Sequence, residues 1–230
     1  EKLADKHAGD WYLRKVDTEK FPAIATQYRI TSIPNVKLFV DGVVTDEFSG
    51  ALPEPAIIKW LVKVMPSKYR VQLDGAKELL LQNRITEARE ILNSVNAAEP
   101  NNETALILLA QSYLSDDTDR AVRTVQSVDL GSTQLEAAEA IRTLGGLYGY
   151  LEDNHALPDE DVKTDYLDAI VKSKSNDYPG ALEGFITVIR KNRSYNEDGS
   201  RRACVAIFSL LGDQHDLTKK YSRTLSYVLY

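Results

Sequence analysis

The feature that most constrains this fold is the spacing of small residues after about Lys68, where apolar residues recur at helical intervals. Ala76, Ala88 and Pro100 lie 12 residues apart. Alanines at facing positions let two antiparallel helices approach closely, and a proline ends the second helix because it has no backbone N–H to donate. We therefore predict a helical hairpin here, with Asn83 and Arg84 in its turn.

The hairpin pattern recurs with variations along the remaining chain. Its small-residue pairs are Ala110 with Ala121 and Ala169 with Ala181. Further helices are predicted at 135–150, 201–211 and 217–230. The spacing resembles that of roughly 34-residue tetratricopeptide repeats. We expect tetratricopeptide-like repeats at 67–157, then a further repeat and a C-terminal helix at 158–230.

The first 66 residues have a different pattern. Two alternating runs, 35–40 and 43–48, flank Asp41-Gly42, which is typical of a β-hairpin because both central residues of a type I′ turn need positive φ. We also predict a strand at 11–16. Helices are expected up to about Gly9, at 19–28 and at 53–64, which gives the order α-β-α-β-β-α.

The stretch Tyr28 to Phe39, with Ile33-Pro34 before the hairpin, resembles the second half of thioredoxin. The resemblance implies an α/β fold and a cis peptide bond at Pro34, which in that family faces the redox dithiol. Periodicity alone favours a trans proline at the start of an edge strand. The predicted fold class is a partial thioredoxin-like domain followed by all-α helical hairpins, with residues 1–66 as the C-terminal part of the first domain.

No cysteine lies in residues 1–66, and Cys204 is the single cysteine of the chain. We therefore expect no disulfide exchange and no catalytic residues in this chain. Cys204 lies in an apolar helical stretch, which favours a core position over a redox sensor.

The resemblance also implies that the strand-helix-strand start of the thioredoxin fold and its dithiol region are absent here. We consider three outcomes: the strands at 11–16 and 35–40 pair directly, another chain fills the gap, or the sequence is a fragment. A fragment is favoured because residues 1–4 have a mid-helix pattern without a preceding cap.

Composition excludes several other classes of function. The net charge of −6 argues against nucleic-acid binding, which needs clustered Lys and Arg. Arg190-Lys191 and Lys219-Lys220 are interpreted as helix ends whose cations complement the dipole. His7, His155 and His215 are too scattered for a metal motif, so neither a metal nor a cofactor is expected. A charged first segment and the lack of a long apolar run predict no signal peptide or membrane span, and therefore the cytoplasm.

The final segment has an apolar stripe formed by Leu217, Tyr221, Leu225, Val228 and Leu229. A stripe of this kind packs on the protein's own helices or docks into a partner's groove.

A thioredoxin-like half, degenerate repeats and the terminus Lys220 to Tyr230 together resemble the bacterial YbbN (CnoX) chaperedoxin family. The resemblance implies a co-chaperone that holds unfolded client proteins and docks on the GroEL chaperonin through its C-terminal helix. Ser222 and Tyr227 depart from the family pattern, and Thr18 stands where some members have a reactive cysteine. The chaperonin contacts implied by position are Leu217, Tyr221, Arg223, Leu225, Val228, Leu229 and Tyr230.

Two other functions remain open on the sequence. One is a thioredoxin-type thiol-disulfide oxidoreductase, if a dithiol lies upstream of residue 1. The other is an adaptor with unrelated partners.

Overall fold

The computed structural model describes residues 1–6, 11–65 and 67–229. The chain divides into two compact units, unit 1 at Glu1–Pro66 and unit 2 at Ser67–Tyr230. The predicted thioredoxin-like domain followed by a helical array is confirmed as the fold class. Within the described residues, none of the helices is long and apolar enough to cross a membrane.

Among its described residues, unit 1 contains a two-stranded antiparallel sheet and three helices. Its elements are α1 (Lys2–Lys6), α2 (Pro22–Gln27), β1 (Asn35–Val40), β2 (Val43–Ser49) and α3 (Glu54–Val64).

The Asp41-Gly42 turn forms as the sequence predicts. Asp41 has φ 51° and Gly42 has φ 82°, so both central residues adopt the left-handed conformation that a type I′ turn requires. The strands pair from Val40 opposite Val43, with a register irregularity after Leu38. The hairpin therefore sets the position of the loop that precedes β1.

The predicted strand at 11–16 is wrong beyond its first residue. Trp11 forms an isolated bridge, and residues 12–17 have no regular secondary structure. Tyr12, Leu13 and Val16 are exposed. A strand is stabilised by a hydrogen-bonded partner and by burial of one face, and this segment lacks that burial. Direct pairing of two full strands, one of the three outcomes considered above, is therefore not observed.

The predicted helix at 19–28 is shorter than expected. Asp17 instead organises a turn, in which its Oδ1 accepts hydrogen bonds from the backbone N–H groups of Glu19 (3.0 Å) and Lys20 (3.2 Å). Pro22 then occupies an early position of α2, where its missing N–H has no helical partner to lose.

Among the described residues of unit 2, all of the regular secondary structure is helical. Its helices are α4 (Arg70–Leu81), α5 (Ile85–Ala98), α6 (Glu103–Tyr113), α7 (Thr118–Thr124), α8 (Leu135–Gly149), α9 (Lys163–Lys174), α10 (Tyr178–Lys191), α11 (Tyr195–Leu211) and α12 (Asp216–Leu229).

The small residues lie where the hairpin helices meet. Ala76 and Ala88 are fully buried between α4 and α5, and Asn83 makes the intervening turn with φ 57°. In the α9–α10 hairpin, a Cβ added to Gly184 would lie 2.8 Å from the Cβ of Ala169. The small residues in the sequence therefore mark positions where two helices approach too closely for larger side chains.

Residues 67–157 and 158–230 pack as one unit, because α8 packs against α11 across the sequence boundary between them. The helix predicted at 201–211 lies within α11, whose residues 199–211 follow a break in the right-handed helix. Asn196, Glu197 and Asp198 have positive φ values of 48°, 54° and 63°, which produce a kink. The Tyr195 hydroxyl donates to the Pro158 carbonyl oxygen at 2.8 Å and holds this segment in place.

Candidate functional site

The loop before β1 is defined by the end of α2. The N–H of Ile30 donates to the carbonyl of Ala25 (2.8 Å), and the N–H of Arg29 donates to that of Thr26 (3.2 Å). Arg29 has φ 51°, so this is a Schellman-type ending with arginine at the position where glycine is common. The chain is thereby turned out of the helix toward Pro34.

Pro34 follows a cis peptide bond in the structure. Its carbonyl oxygen accepts a hydrogen bond from the N–H of Gly50 at 2.8 Å, and the Asn35 side chain donates to the Ser49 hydroxyl at 2.9 Å. Ile33 is 77% exposed. Within the described residues, no hydrogen bond occupies the backbone N–H or C=O of Ile33. Hydrogen bonds therefore hold the loop at Pro34 and Asn35, whereas the backbone groups of Ile33 have no hydrogen-bond partner among the described residues.

Two aromatic pairs support the hairpin behind this loop. Tyr28 packs edge-on against Phe39 with ring centroids 5.4 Å apart, and Phe48 packs against Trp60 at 4.9 Å. The indole N–H of Trp60 also donates to Asp46 Oδ2 at 3.1 Å. These contacts connect β1 to the end of α2, and β2 to α3.

The single thiol lies far along the sequence from this loop, in α11. Cys204 is fully buried, and burial raises the pKa of its thiol from 9.0 to about 12. A thiol with such a high pKa is protonated near neutral pH, and the protonated form is a poor nucleophile. Thr18, which the resemblance aligns with a reactive cysteine of some chaperedoxins, lies in the turn that Asp17 organises.

The apolar stripe of α12 faces the helical core. Tyr221 and Leu225 are buried, while Leu217, Val228 and Leu229 are partly buried against the same core. The Tyr221 hydroxyl donates to Glu183 Oε1 of α10 at 2.6 Å. Burial and this acceptor carboxylate raise the pKa of Tyr221. Packing on the protein's own helices is therefore the alternative that the structure adopts.

Both ends of α12 are also tied down by polar contacts. His215 Nδ1 accepts a hydrogen bond from the N–H of Leu217 at 3.2 Å, and Arg193 donates to the carbonyl oxygen of Leu229 at 2.9 Å. His215 therefore has a helix-capping contact. Among the described residues there is no group of three or more acidic, cysteine or histidine side chains that could hold a metal ion.

The structure thus separates the predicted contact residues of α12 into two groups. The apolar ones point inward, whereas Arg223 is exposed. Tyr230 and His7 lie outside the described residues. The outward face also contains Tyr227, which is 86% exposed, and Lys219. Sequence reasoning noted both residues without assigning them to the site, although their i, i+4, i+8 spacing with Arg223 could have indicated it.

Comparison with known families agrees with this two-part architecture. Residues 1–63 match the thioredoxin family, and residues 130–230 match the tetratricopeptide repeat family. The two matches support an architecture in which a thioredoxin-like region is followed by tetratricopeptide-like repeats.

Individual relatives match the N-terminal part. Thioredoxin Y2 of Arabidopsis thaliana chloroplasts is 44% identical over 45 residues, which cover 20% of this chain and 27% of the relative. Thioredoxin of Chlorobaculum thiosulfatiphilum is 41% identical over 59 residues, covering 26% and 55%. Thioredoxin 1 of Synechococcus elongatus is 33% identical over 63 residues, covering 27% and 59%. The chain spans between about a quarter and three fifths of these relatives.

Proposed function

We propose that this chain is a co-chaperone that holds unfolded client proteins and docks on the GroEL chaperonin through α12, without redox catalysis by its own residues. The observation that carries the proposal is the union of a cysteine-free thioredoxin-like region with tetratricopeptide repeats in one chain. Tetratricopeptide arrays are protein-binding surfaces in general. With GroEL as partner, the proposed compartment is the bacterial cytoplasm.

Client binding is supported by exposed apolar side chains of unit 1. Tyr12, Phe21, Ile33 and Val43 are all exposed large apolar side chains. The open backbone of Ile33 offers one N–H and one C=O to an extended segment, which is the geometry of strand addition. An unfolded client supplies both apolar side chains and free backbone groups, so it suits this surface.

The client-holding part is tested with a thermally unfolding enzyme. We expect the chain to suppress light scattering by aggregating citrate synthase in proportion to its concentration. The double variant Ile33→Ser/Val43→Ser is expected to lose much of this effect, while Val71→Ser, an equally exposed valine of unit 2, serves as the control. Equal suppression by all variants would contradict a role for unit 1 in holding clients.

The docking part is tested by GroEL co-purification with the full chain and with a chain that ends at His215. We expect recovery of GroEL to fall after truncation. Because removal of α12 uncovers apolar side chains of α10 and α11, the truncated chain is assayed on GroEL already saturated with an unfolded client. Unchanged recovery there would contradict docking through α12.

A thiol-disulfide oxidoreductase is the second candidate, favoured by the thioredoxin relatives of residues 1–63. It requires a dithiol in polypeptide ahead of Glu1. Insulin reduction by dithiothreitol distinguishes the candidates when it is measured on the gene-encoded protein with any polypeptide ahead of Glu1. The 230-residue chain by itself is expected not to accelerate it, because its one thiol is buried. Acceleration by this chain would overturn the redox-inactive assignment.

A further inference from the structure

Charge is distributed unevenly along unit 2. Residues 67–189 have 11 Lys and Arg against 21 Asp and Glu, a net of −10, whereas residues 190–230 have eight against four, a net of +4. Residues 190–230 are therefore a basic end on an otherwise acidic unit.

Helix stability does not account for the basic residues of α12. Arg190 and Lys191 occupy the last turn of α10, where the helix dipole favours cations. Lys219 and Lys220 instead follow Asp216 closely at the start of α12, where the dipole is positive and disfavours them. The dipole interpretation of Lys219-Lys220 is therefore wrong.

Lys220 is engaged within the protein. Its Nζ lies 3.2 Å from the Tyr221 hydroxyl and 4.5 Å from the ring centroid, and that hydroxyl in turn contacts Glu183. Its charge is therefore directed toward Tyr221 and the Glu183 carboxylate of α10.

Lys219, Arg223 and Tyr227 form a separate line along the outward face of α12. They are spaced four residues apart, so they lie above one another on the helix, and all three are exposed. Among the described residues, neither cation forms a side-chain hydrogen bond or an ion pair; Asp216, at the start of the same face, pairs with neither. In the acidic region Arg84, Arg89 and Arg142 are ion-paired, whereas Lys77 and Arg123 are exposed and, among the described residues, have no ion pair either. The distinguishing feature of α12 is that two such cations align with an exposed tyrosine on one face of a helix.

We propose that this outward face of α12, formed by Lys219, Arg223 and Tyr227, is an interaction surface for an acidic protein surface. The inference rests on the proposed function: it assigns docking to the outward face, while the apolar stripe stays packed on α10 and α11. Unpaired cations steer association with an acidic surface, and exposed tyrosine and arginine are the residue types that dominate binding at interface centres. Two unpaired cations on a chain of net charge −6 are too few for nucleic-acid binding.

The experiment measures affinity for purified GroEL in about 50 mM and about 300 mM NaCl, because salt screens exposed charges. Wild-type affinity is expected to fall with salt. Lys219→Glu/Arg223→Glu is expected to weaken binding by about tenfold or more at low salt, with a smaller salt dependence. Tyr227→Ala is expected to weaken binding by about tenfold at both salt concentrations.

The matched control is Lys77→Glu/Arg123→Glu, which changes the net charge equally at exposed positions of α4 and α7. Its affinity is expected to stay within about twofold of that of the wild type. The same change in net charge, placed away from the docking surface, acts on GroEL only through weak long-range electrostatics. Helical circular dichroism checks that every variant is folded, which is expected because all the substituted side chains are exposed.

The outcomes separate the two proposals. Absence of wild-type binding to GroEL overturns the proposed function and this surface together. Wild-type binding that needs α12 but is unaffected by Lys219→Glu/Arg223→Glu and Tyr227→Ala overturns the surface and leaves the proposed function standing. Binding of a single-stranded DNA of about 20 nucleotides that is lost in Lys219→Glu/Arg223→Glu, with GroEL binding unchanged, assigns the face to nucleic acid and also overturns the proposal.

Discussion

The two units of this chain differ sharply in how much apolar surface they bury. Among the described residues, Leu3 and Leu61 are the buried apolar side chains of unit 1, while Phe21, Ile33 and Val43 are exposed. Unit 2 has a continuous core in which Phe185 and Ile141 are fully buried. Because burial is the main favourable term in folding, unit 2 accounts for most of the stability, and the exposed apolar side chains of unit 1 are those to which we assign client binding.

The two tryptophans make this difference measurable. Trp11 and Trp60 both lie in unit 1, so tryptophan fluorescence reports on unit 1. The helical circular dichroism signal comes mostly from unit 2. Urea unfolding followed by both signals therefore compares the units within one molecule.

The largest expected effect is at the centre of the unit 2 core. Phe185→Ala should lower the free energy of unfolding by about 3–5 kcal/mol, because it removes a fully buried ring that packs against Tyr166. Phe21→Ala in unit 1 should change it by no more than about 0.5 kcal/mol, since Phe21 is exposed. Circular dichroism in urea measures the loss for Phe185→Ala, and fluorescence measures that for Phe21→Ala. Similar losses of free energy in the two variants would contradict the difference in burial between the units.

Alkaline pH should destabilise unit 2 selectively. Burial raises the pKa of Cys204 from 9.0 to about 12 and that of Tyr166 from 10.0 to about 12. The folded state holds these protons longer than the unfolded state, so the stability is fully present below about pH 9 and declines as pH rises toward 12. The expected slope is about 1.4 kcal/mol per pH unit for each group.

Urea midpoints of the circular dichroism transition at intervals across this alkaline range measure that slope. Cys204→Ala is the control, because it removes one of the groups whose pKa is raised and should reduce the slope below pH 10 most. A midpoint independent of pH would contradict the burial of these groups.

Close helix packing in unit 2 gives the next effect. Gly184→Ala should destabilise by about 1–3 kcal/mol, because the new Cβ would lie 2.8 Å from the Cβ of Ala169 and its attached backbone cannot move aside freely. Gly146→Ala, in α8 with nothing within 4 Å of the added Cβ, should stabilise by up to about 1 kcal/mol through helix propensity. Stabilisation by Gly184→Ala as well would show that α9 and α10 are not in close contact.

The smallest effect is in unit 1. Asp46→Ala removes the acceptor of the Trp60 indole N–H and should lower the fluorescence-detected free energy of unfolding by about 1 kcal/mol. Asp46→Asn keeps a side-chain oxygen and should lose less. A shift of the helical transition as large as that of fluorescence would contradict an effect confined to unit 1.

Local signals in the sequence predicted the elements that depend on neighbouring residues. The Asp41-Gly42 turn and the α4–α5 and α9–α10 hairpins follow from backbone preference and helical spacing. The segment at 11–16 was mispredicted because a strand depends on distant partners and on burial. The kink at 196–198 depends on contacts of Tyr195 and Asn196 with Pro158 and Tyr166, which no local pattern contains.

The candidate site, like the fold, could be predicted from local sequence only in part. The amphipathic pattern of α12 predicted a helix with an apolar stripe. Which side meets a partner depends on α10 and α11, which cover Tyr221 and Leu225. Lys219 and Tyr227 can be assigned to the outward face only from the packing of the apolar stripe, which the sequence alone does not show.

Hydrogen–deuterium exchange on the chain with and without GroEL tests the central claim most directly. In the free chain, amides of α12 should exchange slowly because the helix packs on α10 and α11. With GroEL, the amides of α12 should become more protected, while those of α10 and α11 stay unchanged because the apolar stripe remains in place. Faster exchange in α10 and α11 on binding, or no change in α12, would contradict docking through a packed C-terminal helix.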